Sequence, residues 1–265
     1  MHREISFIWR CQNNIFSEAF MKKILTAALA MLVFLSLGAQ EIRYFNAAEL
    51  NVIGKAIPTT KDFTRIDTAA YKFNDKVIEE YACHSTGLAV LFATDSPIIK
   101  AKWQTSEKNA EENFTAIAQK GLDLYIKKDG KWLYAGSQPS CKHGAVFSLV
   151  SNMDGSEHEC IVYFPRQKPI ESMHLIIDEG ASITPVDCPF RHRIAALGSS
   201  FTQGAGVTRP GCTWSAQLSR MTGLMFINMG FCGNCKFQPF YAQVLGRSDA
   251  EAYVIDAFSN PSAQE

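Results

Sequence analysis

Ile194-Ala195-Ala196-Leu197-Gly198-Ser199-Ser200-Phe201-Thr202-Gln203-Gly204 is the stretch that decides the fold. Its first four residues read as a short buried strand, and the serines that follow are flanked by glycines that let the backbone turn sharply. A serine just past the carboxyl end of such a strand lies where open α/β sheets hold their ligands. A plain Gly/Ser turn capping the next helix fits the segment equally well. A P-loop does not, because five residues separate Gly198 from Gly204 and no Lys-Ser/Thr follows. Downstream, Thr213 to Thr222 carries Trp214, Leu218 and Met221 at helical spacing, the expected buried face of a first helix. Met225 to Met229 and Ala252 to Ile255 read as two more strands. Strands alternating with helical stretches imply βαβ units and a parallel sheet. Three strands are half of an ordinary doubly wound domain, so an incomplete α/β domain is expected over 190–265, cut short ten residues after its last strand.

Upstream the texture differs. Leu88 to Ala93, Ile98 to Trp103, Leu122 to Lys127, Lys131 to Ala135, Ala145 to Val150, Cys160 to Phe164 and Met173 to Ile177 are short apolar or alternating runs between turn residues. These read as strands. Lys128-Asp129-Gly130 between two of them signals a hairpin, since glycine accepts positive φ. Such strands with hardly a helical pattern between them predict an antiparallel β-sandwich over 40–189. The expected fold class is α+β with two domains, a sandwich followed by the incomplete α/β domain.

Residues 1–39 stand apart. Met21-Lys22-Lys23, the apolar run Ile24 to Leu37 and the small pair Gly38-Ala39 make a secretory signal peptide, with Met21 the expected true start. The run is too short to span a bilayer comfortably, and no cysteine ends it to take a lipid anchor. Export to a periplasm or out of the cell is expected, with no integral membrane segment left after signal removal. The chain carries 26 Lys+Arg against 26 Asp+Glu and no basic stripe, which argues against nucleic acid as a partner. Of eight cysteines, Cys11 falls in the leader and an odd number remains, so at least one thiol stays free. Cys232-Gly233-Asn234-Cys235 has C-x-x-C spacing without the helix-opening context of a redox motif. No cofactor and no metal site is implied.

Three segments in order carry a family resemblance. Gly198-Ser199-Ser200-Phe201 resembles the first block of the SGNH, or GDSL-type, serine hydrolases, whose third residue is the nucleophile, here Ser200. Asn228-Met229-Gly230-Phe231-Cys232-Gly233-Asn234 is similar to the second block, whose glycine donates a backbone N–H to the oxyanion hole, here Gly233. Asp256-Ala257-Phe258-Ser259-Asn260 resembles the third, whose asparagine supplies another donor, here Asn260. Thr202-Gln203-Gly204 and Arg209-Pro210-Gly211 look like the exported bacterial branch, and Gly121-Leu122-Asp123-Leu124-Tyr125 resembles the G-x-D-L-Y signature of its preceding β-rich domain. The resemblance implies a flavodoxin-like hydrolase domain and an exported esterase, acting on a small acyl ester or an acylated carbohydrate, most simply an acetyl ester.

The chemistry fits those roles. Ester cleavage passes through a tetrahedral oxyanion, and losing one pre-placed donor costs roughly 3 kcal/mol of barrier, on the order of a hundredfold in rate. Serine also needs a histidine to take its proton and a group to orient that histidine. The family supplies both from a late D-x-x-H block, which is absent here, so the triad His and Asp are missing and the chain is expected to be inactive as it stands. The histidines are His2, His84, His143, His158, His174 and His192, and none follows Ser200. His192 opens the strand whose far end carries Ser200, and eight residues at about 3.3 Å each put it over 20 Å away. The others in the sandwich read as ordinary strand or loop residues, with His143 the least unlikely donor of a base from that half.

Asp123 and Tyr125 could contact the second domain or a glycan, although an Asp beside a hairpin is more often a turn or surface residue. Asp256 could shape substrate binding or make a structural hydrogen bond, with neither favoured. Asn113-Phe114-Thr115 fits a glycosylation sequon that a bacterial chain would not use. Two other functions remain open beside the esterase: a glycan- or partner-binding module without catalysis, and a thiol-disulfide protein using Cys232 and Cys235.

Overall fold

The computed structural model describes residues 20, 22–26, 43–73, 75–106, 112, 114–139 and 144–261. Most of the expected leader, together with Cys141, His143 and Asn113, lies outside the described residues. Ile42–Glu265 form one compact unit and Met1–Glu41 another. Among the described residues no helix is long and apolar enough to cross a membrane.

Two antiparallel sheets occupy the first half of the larger unit. One runs in the order β1 (Arg43–Asn46), β9 (Ile170–Ile177), β4 (Ile99–Thr105) and β7 (Phe147–Val150). The other runs β10 (Ile183–Pro185), β3 (Ala89–Thr94), β8 (His158–Tyr163), β5 (Leu122–Lys128) and β6 (Lys131–Gln138), with β2 (Asn51–Ile53) also paired to β3. The β5–β6 hairpin turns through Asp129 at φ 50° and Gly130 at φ 73°, the paired positive angles that twist-matched two-residue hairpins require. Between the sheets lies a core of Val90, Phe92, Trp103, Leu124, Val162 and Leu175.

The alternate residues of the second sheet, Ala89, Leu91, Tyr125, Ile161 and Tyr163, belong to a second core shared with the α/β half. That sheet is therefore covered on both faces. This is why all of β3 is buried and why its sequence reads as an unbroken apolar run rather than an alternation.

The α/β half is a parallel sheet in the order β12 (Leu224–Gly230), β11 (Arg191–Gly198), β13 (Ala252–Ile255). The α-helices described in this larger unit are α1 (Lys76–Cys83), α2 (Ala116–Lys120), α3 (Ser200–Gln203), α4 (Trp214–Thr222) and α5 (Pro239–Arg247). Helix α4 differs from the sequence expectation. Its buried residues are Ser215, Ala216 and Ser219, whereas Met221 is 78% exposed and Trp214 and Leu218 are half-buried. The small polar face turns inward because it serves β12 directly: Asn228 Nδ2 donates to Ser215 Oγ at 3.1 Å and Phe226 N–H to Ser219 Oγ at 3.1 Å. All four residues of β13 are exposed, and among the described residues only its β11 edge is paired.

Candidate active site

The central strand β11 delivers Ser200. Gly198 ends that strand where no side chain fits, since a Cβ there would lie 2.6 Å from Asp256 Cβ. Ser199 caps α3, its Oγ accepting the Phe201 N–H at 3.2 Å. Ser200 is the first residue of α3, half-buried, and its Oγ has no hydrogen-bond partner among the described residues. Gly204, at φ 94°, lets the chain leave the helix. Asp256, just past β13, accepts Ser199 Oγ–H at 2.6 Å, Ser199 N–H at 3.3 Å and Thr202 Oγ1–H at 3.2 Å. The Ser199 hydroxyl, more than any other group, holds the Asp256 carboxyl below its ordinary range. Of its two open readings, the geometry gives Asp256 the structural one: it pins the end of β13 to the serine turn.

The loop after β12 closes over the same edge. Phe231 N–H donates to Gly198 O at 2.8 Å. Gly233 is exposed at φ 70°, the left-handed region that favours glycine. Cys235 N–H donates to Asn260 Oδ1 at 3.3 Å. That bond orients the Asn260 amide, and its Nδ2 has no partner among the described residues. The carboxyl end of the sheet thus gathers the segments of Ser200, Gly233 and Asn260, as expected where an open α/β sheet holds a ligand.

Two buried residues support this edge in roles that the sequence did not show. Gln203 accepts the Cys232 N–H at Oε1, 3.1 Å away. Arg65 donates from Nη1 to Asn228 O and Gly230 O, both at 3.0 Å, and lies over the Phe231 ring at 4.9 Å. Burial pushes its guanidinium down to about 10. Gln203 lies in the Thr202-Gln203-Gly204 motif, which carries no sign of this contact, and Arg65 lies in no motif.

The comparisons with known proteins follow this division of the chain. Residues 42–183 match the family described as the N-terminus of SGNH-hydrolase-type esterases (GxDLY), and residues 191–265 match the GDSL-like lipase/acylhydrolase family. The chain belongs to this SGNH-type, GDSL-like esterase family. A protein from Bacteroides ovatus ATCC 8483 described as a GDSL-like lipase is 40% identical with a TM-score of 0.81; the match covers 84% of this chain and 66% of that one. The chain thus spans just under two thirds of that relative. A salicylyl-acyltransferase from a tetracycline biosynthetic pathway shares the fold at 18% identity and TM-score 0.61, covering 80% of this chain and 60% of that one. No curated protein matches.

In this GDSL-like chain the G-x-D-L-Y signature is an internal joint. Asp123 is fully buried, not a turn or surface residue as its place beside a hairpin suggested. Its Oδ2 accepts the Gly211 N–H at 2.9 Å, and Oδ1 faces Arg209 Nη1 at 3.5 Å. Arg220 stacks over Tyr125 at 3.9 Å and donates to Gly211 O at 2.7 Å. Burial pushes the Asp123 carboxyl up to about 6 despite the Arg209 guanidinium beside it.

None of the described histidines makes a hydrogen bond to Ser200. His192 pairs with Glu251 at 3.0 Å at the opposite end of β11 from Ser200. His158 meets Asp154 at 3.0 Å, His174 edges Tyr44, and His84 is buried, accepting from Gln203 Nε2 at 3.4 Å. Cys232 and Cys235 are free thiols. Burial pushes the Cys235 thiol up to about 11, opposite to the lowered value that thiol exchange in a C-x-x-C motif uses.

Proposed function

We propose that this chain carries the nucleophile and oxyanion hole of an exported serine esterase that removes acetyl or similar small acyl groups from carbohydrate. Ser200 Oγ attacks the ester carbonyl carbon as its proton passes to a base, a part that buffer imidazole can play. Its own N–H, the Gly233 N–H and the Asn260 amide donate to the oxyanion that forms. Collapse expels the sugar alcohol, which takes up a proton, and water then attacks the acyl-serine to release the acid and restore the hydroxyl. The observation that carries this reading is the unpartnered Ser200 Oγ at the head of α3, at the same sheet end as an asparagine whose carbonyl is already engaged. Lys22-Lys23 and the apolar run behind them support export, and resemblance to the exported branch supports a carbohydrate ester.

No histidine follows Ser200 in these 265 residues, and serine at neutral pH is a weak nucleophile without a base. The chain alone should therefore hydrolyse p-nitrophenyl acetate no faster than its Ser200→Ala variant. Imidazole in the buffer supplies a mobile base. A protein-dependent, imidazole-dependent rate that disappears in Ser200→Ala is the expected result. Equal rates for the two proteins at every imidazole concentration would remove Ser200 as nucleophile and leave the binding-module reading ahead. The thiol-disulfide reading has the raised Cys235 thiol against it.

A further inference from the structure

The glutamine three residues after the serine occupies a place that the chemistry above does not use. Gln203 is completely buried, and both ends of its amide are engaged in different parts of the molecule. Oε1 accepts the Cys232 N–H at 3.1 Å, one residue before Gly233. Nε2 faces Thr86 Oγ1 at 3.3 Å, the Arg166 carbonyl at 3.3 Å and His84 Nδ1 at 3.4 Å, all in the β-rich half. The Thr86 hydroxyl itself donates to the same Arg166 carbonyl. The backbone of Gln203 presses so closely on Gly230 that a Cβ on that glycine would lie 2.6 Å from Gln203 Cβ. A buried amide anchored at both ends has a single orientation, because turning it over would set its donors against the Cys232 N–H.

We propose that Gln203 is the positioning residue of this site: it fixes the oxyanion loop against the serine helix and registers both on the β-rich half. The inference rests on the esterase reading above. Arg65 works from the same side, since its bonds to Asn228 O and Gly230 O hold the last residues of β12 from the N-terminal half. The β-rich half is then part of the catalytic framework, reaching the oxyanion loop through Thr86, the Arg166 carbonyl and Arg65. Leaving this framework intact matters because a donor misplaced by about 1 Å can cost on the order of a hundredfold in rate.

The test uses the full chain and has two readouts. Amide hydrogen exchange followed by NMR should find the Cys232 N–H protected in the wild type, although it lies beyond the end of β12. In Gln203→Met, similar in size but unable to accept that bond, the Cys232 N–H should exchange about tenfold faster, while the ladder amides of Ala195 and Ile227 stay as they were. The imidazole-driven, Ser200-dependent rate should fall about ten- to a hundredfold in kcat, with KM little changed. An unprotected Cys232 N–H in the wild type would overturn the proposal without any variant. So would unchanged Cys232 exchange in Gln203→Met, equal acceleration of the ladder amides, or a rate loss carried by KM. If Ser200→Ala leaves the imidazole-driven rate untouched, the esterase reading fails by itself, and the exchange readout still decides whether Gln203 couples helix to loop.

Discussion

Asp123 makes the joint between the two halves sensitive to pH, and the sign can be worked out. Burial raises its carboxyl from an ordinary 3.8 to about 6, so the folded chain binds the proton more tightly than the unfolded one. The stability this group contributes is full below the unfolded value and is lost as pH rises through the folded one. At 1.36 kcal/mol per tenfold change, going from pH 4 to pH 7 removes roughly 2–3 kcal/mol. The physical cause is that withdrawing the carboxylate from water costs more than Arg209 and Arg220 return. Asp123→Asn keeps the size and an acceptor for the Gly211 N–H but cannot titrate. The assay is thermal unfolding followed by fluorescence of Trp103, Trp132 and Trp214, on both proteins at both pH values. Wild type should lose ground to Asp123→Asn by roughly 5–10 °C between pH 4 and pH 7, at 2–4 °C per kcal/mol for a unit of this size. All other titrating groups are common to both proteins and cancel. A melting-temperature difference that stays constant across this range would refute the reasoning. Asp123→Ala, by contrast, strands the buried Gly211 N–H and should cost about 1–3 kcal/mol at either pH.

Other consequences are simpler to read. Asp256→Ala removes the acceptor shared by Ser199 and Thr202 and should destabilise the fold by about 1–3 kcal/mol in urea unfolding. Because the Asp256 carboxyl is held below its ordinary value, its contribution is present above that value and fades as pH falls through the lowered one. Asp256→Asn should therefore flatten part of the acid limb, and an unchanged limb would count against the pinning role. Cys235, buried and raised to about 11, should resist a disulfide reagent at pH 8 until urea unfolds the chain; rapid labelling of Cys235 in the folded chain would contradict its burial.

The sequence showed most of the strands because their residues answer to one local rule. Ile99–Thr105 alternates buried and less buried positions along its whole length, and Ala89–Thr94 is apolar throughout because both of its faces are covered. Short edge pieces such as Asn51–Ile53 and Ile183–Pro185 escaped, since three residues carry too little periodicity to register. Side-chain roles set by the other half of the chain escaped too. Asp123 sits beside a hairpin in sequence but beneath the 209–211 loop in space, and nothing local distinguishes those surroundings. Helix α4 misled for the complementary reason: its large apolar residues face outward or to the rim, while its serines meet β12.

Ser200, Gly233 and Asn260 could be named because each follows a strand in a recognisable block. Gln203 falls in the Thr202-Gln203-Gly204 motif, but its bridging role could not be read there, and Arg65 lies in no recognisable block, because a contact between two halves leaves no local signal of its partner. The same geometry bears on the β-rich half itself. If that half were an independent glycan module, the buried faces of Asp123, Tyr125 and Thr86 would be expected to close on its own residues. Asp123 accepts from Gly211 and Tyr125 stacks under Arg220, while Thr86, which donates to the Arg166 carbonyl of its own half, also accepts from Gln203. A β-rich half in which buried Asp123 and Thr86 take donors from the α/β half is built to hold that half in shape.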